Sequence, residues 1–309
     1  MKLLVIGTSN SILRGGYADA LREDARVQQF LRIGPGGSTS IILPYFGQDL
    51  DFGAFDRVII DTSINDSAFL GWGLIRAADI RENLDWILPR AINAGCGPII
   101  LCLPNRTRMN GDEDAALPVY RQAARDYAVP LLNGYEFVAG HAAEQGQPVA
   151  DLFSDDLHLQ PAVARHLAPL LLDLCDRIPE PGTRPETVSF RRLEAGQIDL
   201  PRQYRRTSLT GADCAMLAPE TNVPIRLAAH ESLVGVAYNA GKSFGSLIIR
   251  GADTVAINVR SEYYAKHDLV VAARQISPAV APRDGIVQMH MQDKSGSGAE
   301  IIGLLIRGA

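Results

Sequence analysis

The spacing of apolar and polar positions changes character once along this chain. Over the first 178 residues, short apolar runs of strand length alternate with stretches of helical spacing. Leu3 to Ile6 reads as a buried strand within 2–6, and further strands are predicted over 26–33, 57–61, 98–103 and 129–132. Between them, Ala77 to Ala94 carries Ile80, Leu84, Ile87, Leu88 and Ala91 on one helical face. Ala115 to Tyr127 and Pro161 to Ile178 repeat that spacing, with Pro161 suited to a first helical turn. Alternation of this kind predicts an α/β domain with a parallel sheet covered on both faces.

The texture changes after Ile178. Three prolines and a glycine between Pro179 and Pro185 cannot continue a helix, so 179–185 reads as a linker. Beyond it come short runs of β-formers: 233–238, 246–249, 255–259, 269–272 and 301–306. Turn signals stand at Asn239 to Lys242 and Arg250 to Asp253, and Ser295 to Gly298 reads as a flexible loop. The expected plan is a domain over 1–178, a linker, and a β-sandwich of jelly-roll type over 186–309.

Composition narrows the function classes. The chain has 309 residues, 47% hydrophobic and 21% charged, which suits folded domains rather than disorder. No apolar run is long enough to span a bilayer. Met1 leads into the first strand without a secretory leader pattern, so a cytoplasmic location is expected. Residues 1–178 carry 15 Lys and Arg against 22 Asp and Glu, and the remainder 15 against 13. Neither half has the basic footprint of a nucleic-acid binder. Arg202, Arg205 and Arg206 read as a solvated strand face. Cys96, Cys102, Cys175 and Cys214 are scattered and suit buried small hydrophobes. Asp61, Asp66 and Asp151 do not combine with histidine at metal-ligand spacing, so neither metal nor cofactor is expected. An oligomer of identical chains is compatible with the sequence.

Candidate chemistry sits at predicted strand ends, which in an open parallel sheet share the ligand-binding edge. Ser9 follows the first strand, Gly34 to Gly37 the second, and Asn65 the third. Asp155 and His158 lie between the last strand and the last helix. Acyl transfer through serine needs a nucleophile, an oriented base and donors for an oxyanion. Three residues apart, one turn can place Asp155 and His158 on the same side, whereas Asp156 diverges from its neighbour. The same segments also suit plainer roles. Gly34 to Gly37 fits a tight turn, and Asp155 or Asp156 ahead of Pro161 fits a helix cap. The other histidines, His141, His166, His230, His267 and His290, lack such partners and read as structural or surface residues.

Taken in order, these segments resemble the four blocks of the SGNH, or GDSL, hydrolases. The blocks stand here as Gly7-Thr8-Ser9, Gly37, Ser63-Ile64-Asn65-Asp66 and Asp155-Asp156-Leu157-His158. Thr8 takes the place of the usual Asp, and Ser63 that of the usual Gly. The resemblance covers residues 1–178 and implies a flavodoxin-like sheet of five parallel strands. It implies Ser9 as nucleophile, His158 as base and Asp155 as its orienting carboxylate. It also implies an oxyanion hole from the Ser9 and Gly37 N–H groups and the Asn65 side chain. The expected activity is a serine esterase acting on a short acyl ester, foremost O-acetyl on a carbohydrate. Two other readings stay open: a carbohydrate O-acyltransferase using the same residues, and a carbohydrate-binding protein without turnover. Phe69 to Leu74 could form an apolar loop of the kind a lipase would use, with Trp72 and Leu74 exposed or packed beneath it.

Overall fold

A computed structural model describes residues 1–109, 114–178, 182–207, 211–219, 221–259, 264–292 and 298–308. The chain divides into two compact units, Met1–Thr187 and Val188–Ala309. Pro179 to Pro181 of the expected linker, and Ser295 to Ser297 of the expected loop, lie outside the described residues.

The first unit is built on five strands: β1 (Lys2–Gly7), β2 (Gln29–Ile33), β3 (Arg57–Asp61), β4 (Gly97–Cys102) and β5 (Leu131–Asn133). They pair in the order β2-β1-β3-β4-β5, every pair parallel. This is the flavodoxin-like order, and its reversal of direction falls between β1 and β3. Nine α-helices accompany them among the described residues: α1 (Ser9–Ile12), α2 (Tyr17–Glu23), α3 (Ile42–Phe46), α4 (Ser63–Gly71), α5 (Ala77–Asn93), α6 (Leu117–Tyr127), α7 (Gly134–Gln145), α8 (Pro161–Arg165) and α9 (Leu167–Arg177). Residues 3–6, 58–61 and 97–102 are buried along their whole length, as strands covered on both faces must be. Leu3, Val5, Ile59, Ile99 and Leu101 pack with Leu21, Val138, Leu167 and Leu171 from the helices.

Several expected boundaries move, each for a local reason. The second strand starts at Gln29 rather than residue 26. Asp24 accepts hydrogen bonds from the Arg26 backbone and guanidinium, and Val27 N–H bonds to Asp24 O, which curls the chain before the sheet. The fifth starts at Leu131 because Ala128, in the left-handed region at φ 54°, closes α6. The expected helix over 161–178 is two helices meeting at His166. Pro169 has no N–H for the Arg165 carbonyl and its ring crowds that group, which disfavours a continuous helix here, although α5 runs through Pro89 without a break. Residues 69–71, expected in a loop, form the last turn of α4. Past the expected linker's start, Arg184 exchanges two backbone hydrogen bonds with the Asn93 side chain at 2.7 and 2.9 Å, tying this stretch to the end of α5.

The second unit consists of antiparallel sheets. One joins β13 (Val271–Val280), β10 (Ser232–Asn239), β15 (Ala299–Arg307), β8 (Gly211–Leu217) and β7 (Arg202–Arg206), with β6 (Phe190–Glu194) also on β15. The other runs β12 (Thr254–Asn258), β11 (Ser246–Arg250), β14 (Ile286–Gln292) and β9 (Asn222–Arg226). Leu233, Val236, Ile301 and Leu304 of the first sheet share one core with Leu247, Ile249, Val287 and Met289 of the second. The expected strand at 269–272 begins only at Val271, because the Val270 N–H is taken by the Asn239 side chain. Arg205 departs from the solvated face expected for it. It makes a bidentate pair with the buried carboxylate of Glu300, which also accepts from Asn239 Nδ2 at 2.8 Å. A carboxylate buried in a sandwich needs such partners. All four cysteines are buried free thiols.

Candidate active site

The strand ends deliver their segments to one edge. β1 ends at Gly7, whose register partner on β3 is Asp61. A Cβ on Gly7 would stand 2.7 Å from Ser11 Cβ, so only glycine lets the chain fold back this tightly into α1. Thr8 is fully buried, and its carbonyl accepts from the Ser11 N–H at 3.1 Å and the Ser11 hydroxyl at 2.7 Å. The turn is therefore held through Thr8's main chain, which any residue supplies.

Ser9 lies in that turn with its Oγ 2.6 Å from His158 Nε2. On the other side of the ring, His158 Nδ1 is 2.9 and 2.8 Å from the two oxygens of Asp155. Asp155 Oδ1 also accepts the backbone N–H groups of Leu157 and His158, at 2.8 and 2.9 Å. Burial works against its ionisation, but these N–H groups and the His158 ring outweigh it and hold the carboxyl below the usual range. A carboxylate beside Nδ1 favours the tautomer with the proton there, leaving Nε2 as acceptor for the Ser9 hydroxyl. The neighbouring Asp156 takes a different partner: Arg106, in the loop after β4, at 2.5 and 2.9 Å. Neither aspartate caps the next helix, which starts from Gln160 without a side-chain cap.

Asn65 lies in the first turn of α4 and is buried. Its Nδ2 donates to the Ser38 carbonyl at 2.7 Å, which fixes the amide against the loop after β2. A primary amide carries two N–H bonds, so a second donor direction remains on the same nitrogen. Gly37, in that loop, has φ 64°, a backbone state that glycine adopts without strain.

Two contacts at this edge have no legible signal in the sequence. Asn10, buried beside Ser9, donates Nδ2 to the Leu157 carbonyl at 2.9 Å, joining the Ser9 and His158 segments directly. The Arg106 N–H bonds to the Asp156 carbonyl at 2.9 Å, so the loop after β4 holds the same segment from its other side. Long-range contacts between loops carry no periodicity. An Asn after a Ser, or an Arg among polar residues, announces nothing alone.

Below the edge, Asp61 and Asp66 engage tyrosines. Tyr17 donates to Asp61 at 2.7 Å; Tyr120 donates to Asp66 at 2.6 Å, and Asp66 also accepts the Ser40 N–H at 2.8 Å. Burial pushes both carboxyls up to about 7, against the pull of these hydrogen bonds. A native-state value above the unfolded one means that folding favours the protonated acid. Stability from each group is therefore full below about pH 4 and is lost as pH rises toward 7. Asparagine mimics the protonated acid. Thermal unfolding should show Asp66→Asn losing less melting temperature than the parent between pH 5 and 8. Equal losses would refute a proton held at Asp66.

Among the described residues no other histidine is hydrogen-bonded to both a carboxylate and a serine as His158 is. His141 lies between Phe137 and His166, with ring centroids 5.7 and 5.1 Å away.

A family model for the GDSL-like lipase/acylhydrolase family matches residues 7–166, just over half of the chain. The chain belongs to this family. As a member it is a serine hydrolase acting on esters, and the match spans every segment just described. Among solved structures the chain resembles a two-domain esterase (CEX) active on acetylated mannans, co-crystallised with mannopentaose. The identity is 13% and the TM-score 0.71, over 99% of this chain and 90% of that one. A second structure of the esterase gives 12% identity and a TM-score of 0.68, over 99% and 91% of the two chains. At such identities the likeness is one of fold, and it extends through both units. Comparison with curated proteins finds no match. Among the described residues no helix is long and apolar enough to cross a membrane.

Proposed function

We propose that this family member removes acetyl groups from a carbohydrate, through an acyl-enzyme on Ser9. The observation that carries the reading is the continuous chain from Ser9 Oγ through both ring nitrogens of His158 to Asp155. His158 Nε2 takes the hydroxyl proton as Ser9 Oγ attacks the ester carbonyl. Asp155 steadies the imidazolium that results. The negative charge on the former carbonyl oxygen is met by the N–H groups of Ser9 and Gly37 and by Asn65 Nδ2. The imidazolium then gives its proton to the departing sugar oxygen, and the acetyl group stays on Ser9. In the second half, His158 takes a proton from water, the resulting hydroxide adds to the acyl-enzyme, and Ser9 leaves with the proton from His158. Ester and water become sugar hydroxyl and acetic acid, and the enzyme returns unchanged.

The carbohydrate part of the proposal draws support from the two-domain fold shared with an esterase active on acetylated mannans. Acetate release should be measured from acetylated oligosaccharides, with water and with a free sugar as competing acceptors. Release to water should dominate, with little release of long-chain acids from matched esters. Dominant transfer to the sugar would overturn hydrolysis in favour of an acyltransferase. A preference for long-chain esters would overturn the substrate class.

A further inference from the structure

A cleft of about 390 Å3 opens beside α6 and α7, walled by the polar Arg108, Asp114, Arg121, Asn133, Tyr135 and Glu136 and by the apolar Met109, Leu117 and Ala139. It adjoins the carboxyl ends of β4 and β5, on the sheet edge that carries Ser9. One loop borders both places: Arg106 holds Asp156, next to Asp155, and Arg108 lines the cleft two residues later. The far end of α4 approaches the same wall, since a Cβ on Gly71 would meet Arg108 Nη2. Trp72 follows Gly71 and is 64% exposed, and Leu74 is 53% exposed. Aromatic and aliphatic side chains left in water this way mark a surface that gains by being covered.

The lining states what chemistry fits. Arg108 and Arg121 bring planar arrays of donors and Glu136 brings acceptors, while Asp114 is buried with its oxygens taken by the Tyr135 hydroxyl and the Ala116 and Leu117 N–H groups. Two guanidiniums and two carboxylates balance in formal charge, so the cleft has no net pull on an anion. Asp114 and Tyr135 are committed to each other at 2.6 Å, and Asn133 Nδ2 to Glu136 at 2.6 Å, which sets these groups before any ligand arrives. Arg121 reaches Glu136 only at 3.6 Å, too long for a hydrogen bond. Its guanidinium can therefore turn to a ligand hydroxyl at little cost. Donors and acceptors interleaved with the apolar Met109, Leu117 and Ala139 match a neutral, polyhydroxylated ring, whose edges hydrogen-bond and whose C–H face is apolar.

We infer that this cleft, with Trp72 at its rim, is a binding site for uncharged sugar units of the same acetylated chain that is cut at Ser9. The inference rests on the carbohydrate reading above. One oligosaccharide would occupy both places, so the cleft selects for chain length and leaves small esters to the Ser9 site alone.

The test uses the full chain with two substrates, a partly acetylated uncharged oligosaccharide and a small aryl acetate. Arg121→Ala and Trp72→Ala should each lower the oligosaccharide-to-aryl-acetate ratio of kcat/KM about tenfold, the typical effect of losing a charged hydrogen bond or a ring contact. The loss should appear as a higher KM for the oligosaccharide. Both side chains are largely solvated, so removing them spares the fold, which circular dichroism checks. Arg125→Ala, elsewhere on α6, is the control. A ratio unchanged in both variants, or lowered equally by Arg125→Ala, overturns the cleft assignment and leaves the carbohydrate reading standing. Turnover of aryl acetate with none on any oligosaccharide would overturn the carbohydrate reading, and the cleft assignment with it.

Discussion

Ser9→Ala should lower kcat/KM on any ester by about 10^4- to 10^6-fold, and His158→Ala by a similar factor. The two residues form one proton-transfer unit, with 2.6 Å between Oγ and Nε2. Without the ring, the serine keeps its proton and is a poor nucleophile. Without the serine, the ring has only water to activate. Losses of this kind do not add, so the double variant should be no slower than the worse single one. Fluorophosphonate labelling supplies a readout independent of substrate. The parent should carry the adduct on Ser9, found by peptide mass spectrometry, and neither variant should label. Both side chains are part-exposed at the rim, so their loss leaves the core of the first unit untouched. A folded Ser9→Ala protein that keeps a tenth of parental activity would end the acyl-enzyme mechanism. Full labelling of Ser9 in His158→Ala would show that the ring does not activate it.

How much of this was legible beforehand differs by element. The sheet of the first unit was, because Leu3 to Ile6, Val58 to Ile60 and Ile99 to Leu101 are apolar runs that only a doubly covered strand buries whole. Three of the four segments at its edge were legible because strand ends in a parallel sheet converge; the fourth, with Asp155 and His158, follows α7 rather than β5, and it was the Asp-x-x-His spacing that singled it out. What stayed hidden depends on residues distant in sequence. Arg205 lies within a run of charges that suggests solvent, and only the fold brings it to Glu300, 95 positions away. The split of the last helix was not readable from Pro169 alone, since Pro89 sits inside the unbroken α5 and the apolar spacing continues across the break. Trp72 and Leu74 have the composition of a core segment, and nothing local says that α4 ends with them outside. The substitution of Thr8 for the usual Asp was harder still. Its effect depends on whether the turn is held by side chain or by main chain, and here the Thr8 carbonyl holds Ser11.

Choosing between two adjacent aspartates is the sharpest test of the arrangement around His158. Asp155→Asn should reduce kcat by about 10^3- to 10^4-fold, whereas Asp156→Asn should stay within about twofold. The asparagine at 155 can still accept the Leu157 and His158 backbone N–H groups through its carbonyl oxygen, so the loop keeps its shape. Its amide nitrogen, however, would present a donor to Nδ1. That favours the ring with its proton on Nε2, where it faces Ser9 and cannot accept the hydroxyl proton. The side chain of Asp155 is 58% exposed, so water partly replaces the lost carboxylate, and the larger effects seen for fully enclosed triads set an upper bound. Asp156 is also mostly exposed, and its carboxylate pairs with Arg106 rather than with the ring. Exposed pairs of this kind contribute little. The Arg106 N–H bond to the Asp156 carbonyl, which also anchors the segment, survives the substitution. Steady-state kinetics on a small aryl acetate, with KM measured separately, decides the matter. A large fall in kcat for Asp156→Asn with Asp155→Asn near parental would mean that the ring turns to the other carboxylate in turnover. Equal and modest falls in both would mean that His158 works without an orienting partner, and would reduce Asp155 to a structural acceptor for the turn.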